Sequence, residues 1–335
     1  MRFAESSLRL IGNTPVVKLR KVTAGLDSNI FVKCEYLNPS GSIKDRMALT
    51  MIEGAERRGQ LKPGFTVIDM SSGNTGPALS FVGNVKGYGV LLHIPSRWTS
   101  TYNPENRIKL MKIFGAEVRP VDLDKYEELL SGVPSERRAA AVFGLGMKFC
   151  YELERENKTY WWSDQMSNPD NTLAHKVGTG GEAIEQLDGK ISAFVASVGT
   201  GGTLLGVAQA LKEKSIAARI VGVEPEDAKV VEEWGGFLND FLTKLGMPKR
   251  KYIVEEMMDQ GIPDEMMYIG HDDAREMANR LSREEGLFCG MSSGANVAAA
   301  VRLARTLPAG SNIVTVCVDR RDRYFPEYPA ESYVI

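Results

Sequence analysis

Residues Ile191 to Leu211, ISAFVASVGTGGTLLGVAQAL, run for 21 positions without a charged side chain, between Lys190 and Lys212. Length alone would let such a stretch cross a membrane as a helix. It also holds a GxxxG, Gly202 to Gly206, a spacing used by paired membrane helices. Its centre argues otherwise, because Gly199, Thr200, Gly201, Gly202 and Thr203 interrupt the apolar run. The segment reads as a buried strand at Ala193–Ala196, a glycine loop, and a helix from about Thr203.

The same grammar recurs along the chain. Further strands are expected at Asn29–Lys33, Thr66–Ile68, Val90–Ile94, Glu117–Val121, Arg219–Val223 and Asn312–Cys317. Helical periodicity is expected at Ile43–Arg58, Thr75–Val85, Pro104–Ile113, Asp170–Gln186, Thr203–Lys214, Asp272–Glu285 and Ala295–Arg305. Strands alternating with helices predict an α/β chain with mostly parallel sheets. At 335 residues there is room for about two domains. No Gly/Ser or Pro-rich linker divides them, so the chain is expected to cross between domains more than once. Leu123–Asn157 reads as a largely helical excursion. Asp227–Ile269 is irregular, acidic and rich in methionine, including Met257, Met258, Met266 and Met267; such residues serve as adaptable packing.

Charge and side-chain inventory narrow the function. Lys+Arg 41 against Asp+Glu 43 gives a formal charge of −2, with no basic excess to hold a nucleic-acid backbone. Cys34, Cys150, Cys289 and Cys317 are scattered without a CxxC, which fits buried thiols in a reducing compartment rather than a disulfide framework or a zinc site. His93, His175 and His271 show no helical pairing, so no metal site is expected. The start, MRFAESSLRLIGNTP, has no apolar signal core, and a cytoplasmic protein is expected.

Four polar segments remain as candidate chemistry. In NPSGSIKDR (Asn38–Arg46), turn residues lead into a helix, placing Lys44 in its first turn. A helix N-terminus is the wrong end for a cation, and a positive site depresses an amine pKa and favours Schiff-base formation. Taken alone, the segment reads more readily as an exposed lysine beside Asp45. SSGNTG (Ser71–Gly76) lies between a strand and a helix. Free N–H groups there, with Asn74 as a side-chain donor, suit a carboxylate or phosphate; an ordinary capped turn fits as well. GTGGT (Gly199–Thr203) is a second such junction and a credible phosphate cradle. It is neither a GxxxxGK[ST] loop nor a GxGxxG. In an open α/β sheet, ligands sit at these carboxyl ends. GMSSGA (Gly290–Ala295) offers Ser292 or Ser293 as a helix cap; no GxSxG is present.

Taken in order, NPSGSIKDR, SSGNTG, GTGGTLLG, EEGLFCGMSSGA and DRRDRY, with IGNTP near the start and DQMSNPDN at Asp164–Asn171, resemble the cysteine synthase/cystathionine β-synthase family. These are pyridoxal 5′-phosphate (PLP) enzymes of fold type II, the tryptophan synthase β-like fold. The resemblance runs from about Leu8 to Tyr324. It implies a smaller, mobile, substrate-closing domain over residues 45–157 and a larger PLP-binding domain over 1–44 and 158–335. Lys44 matches the Schiff-base lysine that moves the Cα proton. Asn74 matches the asparagine at the cofactor's ring hydroxyl. Gly199, Thr200, Gly201, Gly202 and Thr203 match the phosphate cradle, and Ser292 the serine at the pyridine nitrogen. Ser71, Ser72, Gly73 and Thr75 match the loop that grips the substrate carboxylate, which Gln165 also reaches.

The implied reaction is β-replacement. An activated serine (O-acetylserine, O-phosphoserine or serine) loses its β-substituent to give an α-aminoacrylate, and a nucleophile adds. Sulfide is the expected acceptor; the alternatives are an amine or larger thiol, as in diaminopropionate-type or cystathionine-type synthases, or a β-elimination lyase. A serine at the pyridine nitrogen leaves the ring neutral, which fits β-elimination better than transamination. A homodimer is implied, with no nucleic-acid or membrane partner.

The departures fall in substrate-closing segments. RWTSTYNPENR (Arg97–Arg107) stands where the family has an MSxER-like stretch, the usual glycine-rich loop after GVEP (Gly222–Pro225) is not recognisable, and Leu123–Asn157 is longer than usual. Ser71 replaces a threonine. Neither a haem-binding segment nor a regulatory pair is recognisable, so a haem-regulated enzyme is not expected. The tail ends in Ile335, a residue type that partner acetyltransferases of this family insert into the synthase site; a frayed terminus is the simpler reading.

Overall fold

The computed structural model describes residues 3–96, 104–227, 231 and 236–327. In chain order the strands are β1 (Val16–Lys18), β2 (Asn29–Lys33), β3 (Thr66–Met70), β4 (Gly89–Pro95), β5 (Glu117–Val121), β6 (Tyr160–Trp162), β7 (Ala193–Ser197), β8 (Arg219–Pro225), β9 (Glu265–Ile269) and β10 (Asn312–Val316). They form a six-stranded sheet, β1-β2-β10-β7-β8-β9, and a four-stranded sheet, β5-β4-β3-β6. Every pairing is parallel except β1 with β2. The α/β architecture with mostly parallel sheets, expected from the alternating pattern, is therefore present.

The chain divides into two compact units, each with one sheet. Among the described residues, the first comprises 3–47, 169–227, 231 and 252–321; the second comprises 48–96, 104–168, 236–251 and 322–327. These limits differ from the expected 45–157. The strand β6 accounts for part of the difference: it pairs with β3, Thr66 opposite Tyr160, and carries residues beyond 157 into the second unit. Residues 236–251 join it because helix Leu238–Lys244 packs on helix Arg138–Glu156, where a Cβ on Gly144 would lie 2.7 Å from Leu238 Cδ1.

In the first unit, Ile30, Val32, Val195, Val221, Val223 and Ile313 from the sheet meet Val297, Ala300 and Leu303 of helix Met291–Ala304 in one buried core. Central strands buried on both faces read as continuous apolar runs, which is why they were legible. The strands that escaped notice lack that signal. β1 and β6 are three residues each, and β9 is the methionine-rich edge strand EMMYI. Met266 of β9 fills the space over Gly222, its Sδ 2.4 Å from where a Cβ would stand.

The single helix expected at Asp170–Gln186 is interrupted. It runs as Pro169–Ala174, a π-helical turn His175–Gly180, and Gly181–Gln186. The cause is close packing against helix Gly202–Glu213. A Cβ on Gly206 would lie 2.5 Å from the Thr172 carbonyl oxygen, and one on Gly180 would lie 2.8 Å from Ala210 Cβ. The GxxxG is thus a contact inside this unit, and among the described residues no helix is long and apolar enough to cross a membrane. Replacing Gly206 by alanine is expected to destabilise the protein by about 1–3 kcal/mol through overpacking, measured by urea titration. An unchanged midpoint would show that the two segments separate freely.

Candidate active site

Helix Lys44–Arg57 begins at Lys44, one residue later than the sequence pattern indicates. Its first turn is pinned from both sides of that lysine. The Asp45 carboxylate accepts the Ser40 backbone N–H at 2.7 Å and the Ser40 hydroxyl. Arg46 donates from Nε and Nη2 to Glu35 at 2.7 and 2.9 Å, and from Nη1 and Nη2 to Glu182 at 2.6 and 2.7 Å. Lys33 closes the network on Glu182 at 2.7 Å and donates to the Thr14 carbonyl at 2.9 Å. Two cations thus face two carboxylates, with Lys33 and Glu35 fully buried. Such a cluster is tolerable only when every charge is paired and hydrogen-bonded.

Lys44 is different. Burial alone pushes its ammonium down to about 8, and among the described residues no carboxylate counters that. The positive end of the helix acts in the same direction. A lysine held this way has a far larger unprotonated fraction at neutral pH than an exposed one.

The second junction follows β7. Gly201 takes φ +88°, a left-handed conformation that favours glycine, and helix Gly202–Glu213 begins immediately after it. The first N–H groups of that helix have no acceptor within it, which makes its start a site for an anion. No atom lies within 4 Å of where a Cβ on Gly199 would stand, so the loop has an open side. The two threonines are held from behind. Asn171 Nδ2 donates to Thr200 Oγ1 at 3.0 Å, and Thr203 Oγ1 lies 3.4 Å from His175 Nε2. His175 Nδ1 lies 3.0 Å from Thr179 Oγ1. Burial, with Lys44 and Arg46 nearby, holds His175 well below its ordinary pKa, so the ring is neutral. The interrupted helix therefore supplies the backing of the loop.

Ser292 lies in the first turn of helix Met291–Ala304, which starts four residues before the expected Ala295. The suggested capping role is not seen for either serine: Gly290 is the cap residue, and Ser293 Oγ accepts the Val318 N–H at 2.9 Å. All four cysteines are unpaired and buried, three of them in the core of the first unit. Lys44, the 199–203 loop and Ser292 all belong to that unit.

The remaining candidates belong to the second unit. Ser71 follows β3, donates its N–H to the His93 carbonyl at 3.0 Å, and accepts the Gly76 N–H on Oγ at 3.0 Å. Ser71 thereby does the work of a helix cap. Asn74, in the cap position of helix Thr75–Val85, makes no capping bond; its Oδ1 accepts Arg323 Nη1 at 2.7 Å. Thr75 Oγ1 donates to Gln165 Oε1 at 2.6 Å, and Gln165 Nε2 donates to the Met70 carbonyl at 3.2 Å. The structure thus joins Gln165 to the loop from which 90 residues separate it. Ser72 and Gly73 are half-buried, and the Cβ side of Gly73 is open.

Sequence reasoning missed the residues that set this loop. Asp69 is buried at the end of β3 and accepts from the Met70 N–H, Trp162 Nε1 and Ser163 Oγ. Burial, helped by the charge of Asp164, still pushes its carboxyl up to about 7 against those three donors. It fastens the loop strand to Ser163, two residues before Gln165. An aspartate inside the apolar strand TVIDM was the available signal. Arg97–Asn103, the first part of the divergent RWTSTYNPENR, and Ile335 lie outside the described residues.

The family of pyridoxal-phosphate dependent enzymes matches residues 8–319, nearly the whole chain. Cysteine synthase from Staphylococcus aureus (strain Mu50) is 40% identical over 318 residues, covering 94% of both chains. Cystathionine beta-synthase from Mus musculus is 34% identical over 98% of this chain and 56% of the mouse protein. A crystal structure of cysteine synthase (OASS) from Entamoeba histolytica superposes with a TM-score of 0.78 at 32% identity, covering 100% of this chain and 92% of that one. The chain belongs to the cysteine synthase/cystathionine β-synthase family of PLP enzymes, fold type II. It is a PLP-dependent enzyme that makes a β-substituted alanine. The first unit fits the cofactor: it has a lysine whose pKa is lowered to about 8, an anion site at a helix start and a serine hydroxyl in the first turn of another helix.

The charge network makes a direct prediction. Burial raises the Glu182 carboxyl, but hydrogen bonds and charge from Arg46 and Lys33 outweigh it and hold the group at about 2. A depressed acid contributes stability above its unfolded range near 4.5, and that stability is lost as pH falls toward 2. Glu182→Gln is expected to cost about 3–5 kcal/mol at pH 7 and to flatten the acid limb of the stability profile, measured by denaturant titration from pH 3 to 7. A variant with wild-type stability would show that the network is dispensable.

Proposed function

We propose that this enzyme is a cysteine synthase, replacing the β-substituent of O-acetylserine with sulfide. The observation that carries this reading is the pairing of a Lys44 whose pKa is lowered to about 8 with 40% identity to a cysteine synthase across 94% of both chains. Bound PLP supplies the electron sink for breaking bonds at the substrate Cα and Cβ.

The chain's own residues do the rest. Lys44 Nζ anchors the cofactor, takes the Cα proton and returns it after the nucleophile has added. The N–H groups and hydroxyls of Gly199, Thr200, Gly201, Gly202 and Thr203 hold the cofactor phosphate, with His175 and Asn171 keeping the threonines in place. Ser292 donates a neutral hydrogen bond to the pyridine nitrogen. Carrying no negative charge, the Ser292 hydroxyl would not hold a proton on that nitrogen as a carboxylate would. Asn74 contacts the ring oxygen. Ser71, Ser72, Gly73, Thr75 and Gln165 hold the substrate carboxylate, Gln165 being braced on Met70 for that purpose. We further propose a cytoplasmic homodimer; the support is family membership alone, and light scattering tests the dimer.

The test is a visible spectrum of the PLP-loaded enzyme with O-acetylserine, O-phosphoserine or serine, followed by sulfide, thiols and amines. O-acetylserine is expected to bleach the resting band, and sulfide to restore it fastest with release of cysteine. Faster restoration by an amine would replace cysteine synthesis by a specialised synthase, and pyruvate release with no acceptor would make it a lyase. Lys44→Ala is expected to lower turnover at least about 1,000-fold, within the range of lost acid–base catalysis.

A further inference from the structure

Asn74 is an asparagine in a cap position that does not cap, so its side chain is committed elsewhere. Its partner settles which end points where. A guanidinium has five N–H donors and no acceptor, so the atom 2.7 Å from Arg323 Nη1 must be the amide oxygen. The Nδ2–H₂ end is then turned away from Arg323. Asparagine amides ordinarily present either end with little preference, and this one has lost that freedom.

Arg323 is itself held firmly. It is 2% exposed and therefore cannot swing out to solvent. Its neighbours on either side are strapped to helix Glu105–Ile113: Asn106 Nδ2 donates to the Asp322 carbonyl at 3.0 Å, and the Arg107 guanidinium lies 4.6 Å from the centre of the Tyr324 ring. All of these residues belong to the second unit, so the Arg323–Asn74 contact is part of one compact body.

We propose that Arg323 is a positioning residue that locks the Asn74 amide with its donor end toward the cofactor's ring oxygen, so that this oxygen is held in its ionised form. The inference rests on the reading of Asn74 given above. A locked donor bonds an oxyanion more strongly than a protonated hydroxyl, which accepts only as a neutral group, and so favours the ionised form. Rotation of the amide would present an acceptor there and reverse the preference.

The experiment uses the PLP-loaded enzyme and the variants Arg323→Gln, Arg323→Lys, Asn74→Ala and the double variant Arg323→Gln/Asn74→Ala. The ratio of the visible bands from the ionised and protonated ring-oxygen forms is recorded across pH, with thermal melts to confirm folding. Glutamine can present either amide end, so Arg323→Gln is expected to lower the ratio about fivefold, the factor that loss of one ordinary hydrogen bond gives. Lysine is an obligate donor, and Arg323→Lys is expected to stay within about twofold of wild type on the same argument. Asn74→Ala is expected to match Arg323→Gln, and the double variant to fall no further. A wild-type ratio in Arg323→Gln beside a fall in Asn74→Ala would overturn the positioning role. Equal falls in Arg323→Lys and Arg323→Gln would also overturn it. An unchanged ratio in Asn74→Ala would remove the Asn74 reading itself, and the proposal with it.

Discussion

Lys44 is followed in sequence by an aspartate and an arginine, and both are already engaged. Asp45 is taken by Ser40, and Arg46 by Glu35 and Glu182, with Lys33 balancing the second carboxylate. Among the described residues no carboxylate opposes the desolvation of the lysine. Burial then lowers its pKa from the ordinary value of 10.5 to about 8. The rest of the first unit serves the same point. The network fastens β2 to the interrupted helix through Glu182, and that helix backs the 199–203 loop through Asn171 and His175.

Close packing supplies the second constraint. Gly206 brings helix Gly202–Glu213 against the Thr172 carbonyl, and the opposing segment widens into a π-helical turn where they meet. Such turns are uncommon and concentrate at functional sites. Here the turn places the neutral His175 between Thr179 and Thr203. A neutral imidazole adds no charge of its own behind an anion-binding loop; it orients the hydroxyl.

The strand–loop–helix junctions were readable because glycine and small polar residues interrupt long apolar runs, and apolar runs of that length mark buried parallel strands. Lys44 was readable in place but not in state: its pKa depends on partners of its neighbours that come from residues 33, 35 and 182. The π-helical turn was not readable, since His175–Gly180 continues the helical spacing and the close contacts with Gly206 and Ala210 come from another helix. β1 and β6 were too short to show alternation. Arg323 lay inside DRRDRY, already noted as part of a family resemblance, yet its contact with Asn74 joins positions 249 apart and nothing local announces it. The unit boundary was displaced for the same reason, because β6 finds its place only by pairing with β3.

The central claim is that desolvation lowers the pKa of Lys44 to about 8 with no carboxylate among the described residues opposing it, and its ionisation can be read directly. After removal of the cofactor, the Nζ resonance of Lys44 in isotopically labelled protein is followed by NMR from pH 6 to 11, with Lys44→Arg identifying the signal. The account predicts a midpoint near 8. A midpoint at the ordinary value of 10.5 would contradict it, and would move the origin of the lysine's reactivity from the protein to the cofactor.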